Sequence, residues 1–252
     1  MSLAEQRAAD GGPGGISGVM EYASDLFERA SVEVLAARLV RLLKAAVAAP
    51  EVAIGRLEIL SAAERHTILQ GWNATERVLA AATLPQLFAA QAAATPDAVA
   101  VVFGDEQLSY GELEGRANQL AHQLRALGVG AESVVGVCLE RSLELVVSLL
   151  AILKAGGAYL PLDPEYPAER LHYMMADTRL AVLLTHSSVA ASLTIPPGLR
   201  CVLLDQEDTS GEPKTALPTT PHPEQLVYTI FTSGSTGKPK GAANTHSGLH
   251  NV

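Results

Sequence analysis

Strand-length runs of apolar residues, separated by segments with helical periodicity, are the feature that most limits the fold of this chain. The runs VVGVCL (134–139), AVLLT (181–185), CVLLD (201–205) and LVYTIF (226–231) are apolar at nearly every position, so both faces of each strand should be buried. The segments between several of them repeat apolar residues at three- and four-residue steps. Together these patterns predict the α/β class: a mainly parallel sheet with flanking helices.

The segment before the first of these runs has a different rhythm and predicts a short helical linker. Residues 10–18 are rich in glycine and read as a flexible connection, and a helix should open at Ser31 and end before Pro50. SAAE (61–64) and TLPQ (83–86) have the spacing of capping boxes. Three cations on one face of the first helix, Arg38, Arg41 and Lys44, fit a solvated face better than a membrane surface.

The charge balance of the chain excludes two classes of partner. Its 252 residues carry a formal net charge of −9, so general electrostatics would repel nucleic acid and anionic membranes. No leader pattern or membrane-length apolar segment occurs, which predicts a cytoplasmic protein. Cys138 and Cys201 lie in apolar runs and should be reduced core thiols. Because the net charge of the chain is negative, an anionic ligand would need local groups to hold it.

Such local groups occur together in the stretch TSGSTGKPKG, directly after the run LVYTIF. In open α/β sheets ligands gather beyond the carboxyl ends of the strands. The glycines would let backbone amides approach an anion, the hydroxyls would donate hydrogen bonds, and the lysines would add charge. The residues predicted to bind phosphate are Thr232, Ser233, Gly234, Ser235, Thr236, Gly237, Lys238, Lys240 and Gly241. No acidic residue follows Glu224, so the charge around this stretch is positive. A mobile surface loop without a ligand is the weaker interpretation.

The spacing excludes the commonest phosphate loop, G-x-x-x-x-G-K-[ST]. That motif would need a glycine in place of Thr232 and a serine or threonine in place of Pro239. Other candidate sites are weaker. His246 and His250 have the i, i+4 spacing of metal ligands but lack a third ligand nearby, so no metal site is predicted. Asp163-Pro164 reads as a turn, and Ser142 reads as a helix cap rather than a nucleophile.

Three stretches, in order, resemble the adenylate-forming enzymes, and among them the adenylation domains of nonribosomal peptide synthetases. TSGSTGKPKG is similar to the phosphate-gripping motif of that family. LSYGELEGRANQLAHQL (108–124) and the segment of residues 143–177, which contains KAGGAYLPLDP, also match. Within the loop motif Ser235 replaces a common threonine, while Phe231 and Ala242 differ in bulk and leave the phosphate role intact.

The resemblance extends upstream and suggests a division of the chain. Residues 1–15 are expected to be a flexible N-terminus, 16–50 the C-terminal tail of a condensation domain, 51–95 an inter-domain linker, and 96–252 the N-terminal part of a truncated adenylation domain. No HHxxxDG-like stretch occurs, so condensation chemistry is not expected. The sequence stops as a helix starts, which predicts exposed apolar surface and low solubility.

The resemblance implies that the complete domain uses Mg-ATP to convert an amino acid into an aminoacyl adenylate. The acyl group would then pass to the phosphopantetheine thiol of a partner peptidyl carrier domain beside neighbouring synthetase domains. The magnesium ligands and the catalytic lysine of that family are not matched here, so this chain alone is expected to be inactive or nearly so. Two alternatives remain open: an acyl-CoA-ligase-type carboxylate activator, and an ATP-binding interaction protein without catalysis.

Overall fold

The computed structural model describes residues 1–76, 82–180, 182–218, 221–233 and 238–250. The chain divides into two compact units, Met1–Arg77 and Val78–Val252. Neither unit contains, in the ranges just given, a helix that is long and apolar enough to cross a bilayer.

The first unit consists of a β-hairpin and short helices around one long helix. Its elements in chain order are β1 (Ser2–Arg7), β2 (Pro13–Val19), α1 (Arg29–Ala48), a 3-10 turn (Ile54–Arg56), α2 (Ala62–His66) and a π-helical turn (Thr67–Gly71). The glycine-rich residues 10–18, predicted to be a flexible connection, instead form the turn and much of the second strand of this hairpin. Helix α1 begins at Arg29, so Ser31 lies inside the first turn and is not its cap.

The predicted capping box at Ser61 is confirmed and joins two helices of this unit. Ser61 Oγ accepts from the Glu64 N–H, and the Glu64 carboxylate accepts from the Ser61 N–H. The same carboxylate forms ion pairs with two arginines of α1: Arg38 Nε lies 2.8 Å from Glu64 Oε1, and Arg41 Nη1 lies 3.4 Å from Glu64 Oε2. Two of the three cations on α1 therefore have a partner in their own unit. The hydrogen bonds from Ser61 and Arg38 lower the pKa of Glu64 to about 2.

Exposed apolar side chains are concentrated in this unit, whereas the sequence predicts exposed apolar surface at the unfinished sheet of the second unit. Leu3 and Ile16 on the hairpin and Val40 and Val47 on α1 are more than half exposed. Together with their neighbours they line an apolar groove of about 620 Å³.

The second unit contains the predicted α/β architecture. Its elements in chain order are α3 (Leu84–Ala94), β3 (Val99–Phe103), β4 (Glu106–Ser109), α4 (Tyr110–Ala126), β5 (Val134–Cys138), α5 (Leu143–Lys154), β6 (Ala158–Pro161), α6 (Ala168–Asp177), β7 (Val182–Thr185), α7 (Ser187–Ala190), β8 (Arg200–Leu203), β9 (Leu226–Thr232), β10 (Lys240–Thr245) and α8 (His246–His250). Six strands form one sheet in the order β10-β9-β6-β5-β7-β8, and all neighbours are parallel except β10 and β9.

Alternation along the central strands supplies apolar side chains to both faces of this sheet. Val135 and Val137 of β5 pack with residues of α4 and α5, while Cys138 packs with residues of α6 on the other face. The sheet is therefore the middle of three layers. Burial raises the pKa of the Cys138 thiol to about 11, and both cysteines are free, as the sequence predicts.

Two features of this unit differ from expectation. Strand β3 is not part of the mainly parallel sheet and, among the described residues, pairs only with β4 as a separate antiparallel hairpin. Helix α3, which the sequence assigns to the linker, belongs to this compact unit, where its Phe88 ring lies 5.6 Å from the ring of Tyr110. The predicted helix starts at Thr83, Ser109 and Ser142 are confirmed.

The polar segment of residues 206–217 is held along α4 by side-chain amides. Asn118 donates to the Lys214 carbonyl at 2.7 Å, and Gln119 donates to the carbonyls of Ser210 and Glu212. Gln123 adds a bond to the Glu207 carboxylate. Backbone acceptors without regular structure of their own are thus satisfied by one helix face.

A buried ion pair lies beneath this segment and joins α5 to α4. Lys154 Nζ is 2.7 Å from Glu114 Oε1, with side-chain exposures of 6% and 19%. Asn118 Nδ2 donates to the same oxygen at 3.3 Å. Because the ammonium is out of reach of water, it depends on this carboxylate.

We predict that Glu114→Leu destabilises the second unit by about 3 kcal/mol, because it leaves the Lys154 ammonium buried and unpaired. The double variant Glu114→Leu/Lys154→Met should recover much of this loss, since an apolar pair of similar volume needs no charge partner. The exposed Arg116→Ala on the same helix should change stability by less than about 0.5 kcal/mol. Urea unfolding, followed through amide exchange of β5 peptides, measures all three. A double variant less stable than Glu114→Leu would contradict the account.

Candidate functional site

Strand β9 ends at the edge of the sheet where the other parallel strands also end. Along β9 the side chains alternate, with Val227, Thr229 and Phe231 buried and Ile230 exposed. Thr232 and the following Ser233 are exposed. The apolar alternation therefore anchors the strand in the core and delivers two hydroxyl groups to solvent at its carboxyl end.

Strand β10 returns antiparallel beside β9 and brings a lysine back to the same place. Lys240 is paired with Thr232, and Gly241 is paired with Phe231. The Thr232 hydroxyl donates to the Lys240 carbonyl at 3.5 Å. Lys240 and Gly241, which the sequence places in a loop, are thus the first residues of a strand. Ladder hydrogen bonds to β9 fix them there.

The described part of the predicted phosphate site carries hydroxyl donors and two cations. Lys238 and Lys240 are exposed, and within the described ranges no carboxylate forms an ion pair with either of them. Gly234, Ser235, Thr236 and Gly237 lie outside the described residues. Exposed hydroxyls and unpaired ammonium groups at the carboxyl end of a strand form a donor set that fits an anion such as phosphate.

Gly241 has a packing role in the described structure. A Cβ atom built on it would lie 2.9 Å from Thr229 Cγ2 and 3.4 Å from two atoms of the Phe231 ring. Because Gly241 has no side chain, the ring of Phe231 and the methyl group of Thr229, both on the neighbouring strand, can pack against its backbone. Its predicted contact with phosphate remains a prediction.

Two residues that pack around strand β10, Tyr173 near its start and His246 just past its end, have no signal in the sequence that predicts their contacts. The Tyr173 hydroxyl on α6 donates to the Pro239 carbonyl at 3.3 Å. The His246 ring, which is buried, accepts the Leu84 N–H through Nδ1 at 3.4 Å and so links the end of β10 to the start of α3. Burial lowers the pKa of His246.

The remaining sequence candidates have structural roles. Asp163 accepts the Glu165 N–H at 3.0 Å and forms the predicted turn. Ser142 Oγ accepts the Leu145 N–H at the start of α5. Over the described ranges, no three histidine, cysteine or acidic side chains group as a metal site would require.

Comparison with known proteins identifies relatives of the whole chain. The family described as "AMP-binding enzyme" matches residues 88–252. A dimodular nonribosomal peptide synthase of Bacillus subtilis (strain 168) is 42% identical over 99% of this chain and 11% of the relative. The phosphinothricin tripeptide synthetase PhsB of Streptomyces viridochromogenes is 45% identical over 96% of this chain and 21% of the relative. The chain thus spans between a tenth and a quarter of these two proteins.

Solved structures agree with the fold. The AMPPNP-bound form of the nonribosomal peptide synthetase FmoA3 superposes with a TM-score of 0.74 at 30% identity, covering 89% of this chain and 24% of that one. The N-terminal subdomain of Klebsiella oxytoca NpsA superposes with a TM-score of 0.60 at 23% identity, over 68% of this chain and 43% of that one. The second likeness concerns the fold alone.

We predict that Gly241→Ala destabilises the second unit by about 1–3 kcal/mol, because the added methyl overlaps the side chains of Thr229 and Phe231. Gly211→Ala is the matched control, since no atom lies within 4 Å of its added Cβ. Urea unfolding of both variants measures the difference. Equal midpoints for Gly241→Ala and wild type would show that the strand pair has room that the structure does not.

Proposed function

Because the chain belongs to the AMP-binding enzyme family, we propose that it binds the phosphates of ATP as part of an amino-acid-activating domain of a nonribosomal peptide synthetase. The observation that carries this proposal is the pairing of Thr232 with Lys240 beside the exposed Ser233 and Lys238. It assembles hydroxyl donors and two cations at one strand end. The whole reaction is a proposal, since the chain spans a small part of its relatives.

In the proposed reaction the carboxylate of an amino acid attacks the α-phosphorus of ATP, and pyrophosphate leaves. The Ser233 hydroxyl would donate to a phosphate oxygen, and the Thr232 hydroxyl would do so by turning away from the Lys240 carbonyl. The ammonium groups of Lys238 and Lys240 would offset the charge of the departing pyrophosphate. Magnesium bound with ATP would supply further screening of the same negative charge. The thiol of a phosphopantetheine on a carrier domain would then attack the acyl carbon of the adenylate, which forms a thioester and releases AMP. Neighbouring synthetase domains would be the other partners.

Relatives support the choice of nucleotide and substrate class. FmoA3 has solved structures described as bound to AMPPNP and to α-methyl-L-serine-AMP, at 30% identity to this chain. The first ligand is an analogue of ATP and the second is an aminoacyl adenylate. The acyl-CoA-ligase alternative is less well supported, because the relatives at 42–45% identity are described as peptide synthetases.

A catalytically inactive ATP-binding chain remains the second candidate, and amino-acid-dependent exchange of pyrophosphate into ATP separates the two. The assay uses a panel of amino acids with a protein that carries this chain at the length of its relatives. Exchange with one or a few amino acids supports activation. ATP binding without exchange for any amino acid supports the inactive alternative. A cytoplasmic location stays a prediction from the sequence.

We predict that Lys238→Ala and Lys240→Ala each weaken the binding of Mg-ATP to this chain roughly tenfold, because each removes a charged donor to phosphate. AMP affinity should be unchanged, since AMP lacks the β- and γ-phosphates. Lys214→Ala, an exposed lysine on the segment along α4, is the control for loss of one charge. Isothermal titration with both nucleotides measures this. A Lys214→Ala effect as large as the other two would mean that net charge alone is responsible.

A further inference from the structure

Tyr173, on α6, contacts both sides of the candidate phosphate site. We call residues 231–233 the incoming limb and residues 238–241 the outgoing limb. The Tyr173 ring meets the Phe231 ring edge-on, with 6.2 Å between centroids and 78° between planes. Its hydroxyl donates to the Pro239 carbonyl at 3.3 Å. One side chain therefore bridges residues that lie eight positions apart in sequence.

On the incoming limb, Tyr173 contacts a residue that is held in place by the core, Phe231. Phe231 is 8% exposed and packs in the core cluster with Leu171 and Met174, which are on the same helix as Tyr173. Gly241 leaves the space that the Phe231 ring occupies on the neighbouring strand. Because the ring is held by the core and by β10, Tyr173 rests against a rigid point.

The outgoing-limb end of the bridge lies between the two lysines. The Pro239 carbonyl belongs to the peptide that joins Pro239 to Lys240, and the proline ring already restricts the backbone at that residue. A hydrogen bond to this carbonyl fixes the orientation of that peptide. It thereby constrains the path of the backbone from Lys238 to Lys240, the two cations of the site.

We propose that Tyr173 is a positioning residue that orders the outgoing limb just before its ladder with β9 begins at Lys240, and so helps to place Lys238 and Lys240 for the β- and γ-phosphates. This inference rests on the proposed function. Tyr173 itself acts through Phe231 and Pro239 and needs no contact with the nucleotide. Its contribution is preorganisation: the limb that carries the lysines is ordered before the ligand arrives.

The test separates the hydroxyl from the ring. Tyr173→Phe removes only the bond to the Pro239 carbonyl and keeps the edge contact with Phe231. Tyr166→Phe is the matched control, because it removes a hydroxyl two residues before the start of α6. The centre of the Tyr166 ring lies 4.0 Å from the Arg170 guanidinium. All measurements use the 252-residue chain.

The first measurement is hydrogen exchange by mass spectrometry on peptides that cover β9 and β10. We expect Tyr173→Phe to speed exchange in the limbs while β5 and β7 exchange as in wild type. Tyr166→Phe should leave the limbs unchanged. Exchange in the limbs of Tyr173→Phe that equals wild type would overturn the bridge, whether or not the chain binds a nucleotide.

The second measurement is the affinity for Mg-ATP and for AMP by isothermal titration. Tyr173→Phe should weaken ATP binding roughly three- to tenfold, the effect of one hydrogen bond, and leave AMP binding unchanged. A role in general stability would weaken both nucleotides alike and so would contradict positioning. If wild type itself fails to bind ATP, the proposed function fails for this chain, and the exchange measurement still decides the bridge.

Discussion

The antiparallel pairing of β9 with β10 is the interaction on which the candidate site depends. Parallel strands end together at one edge of the sheet, and the groups that follow them can meet there. A second chain direction is needed to bring downstream residues back to that edge. Strand β10 supplies it, because its pairing sets Lys240 opposite Thr232. Gly241 favours this pairing, because a side chain there would crowd Thr229 and the Phe231 ring.

Much of the second unit was predictable from local pattern. Strands such as β5 and β7 are apolar at consecutive positions, and both are buried on both faces. Helix starts at Ser109 and Ser142 were predicted because capping is chemistry within three or four residues. The strand β10 was not predictable in this way. Its residues are almost all exposed, so the segment KGAANT has no apolar alternation, and only pairing with β9 makes it a strand.

Contacts between distant segments account for the rest of what the sequence missed. Residues 206–217 have the composition of a free surface loop, yet amides of Asn118 and Gln119 reach their carbonyls from residues more than 90 positions away. Lys154 has the sequence context of an exposed lysine at a helix end, but it is buried against Glu114. At the candidate site, the sequence predicts phosphate binding by Thr232, Ser233, Lys238 and Lys240, which stays a prediction, and it contains no signal for Tyr173. Side-chain partners of this kind depend on the packing of whole elements.

Phe231 illustrates how the meaning of a residue changes once its neighbours are known. From the sequence it differs from relatives in bulk and has no effect on phosphate chemistry. In the fold its ring contacts Tyr173 on one helix and fills the space above Gly241 on the next strand. The side-chain volumes at Tyr173, Phe231 and Gly241 are therefore coupled, and a substitution at one of them changes the packing of the other two. The Tyr173 hydroxyl also donates a hydrogen bond to the Pro239 carbonyl. One side chain therefore links the apolar core to the backbone between the two lysines. Under the proposal above, a chain with a net charge of −9 would present a local cationic site, because packing against the core constrains the backbone that carries its two lysines.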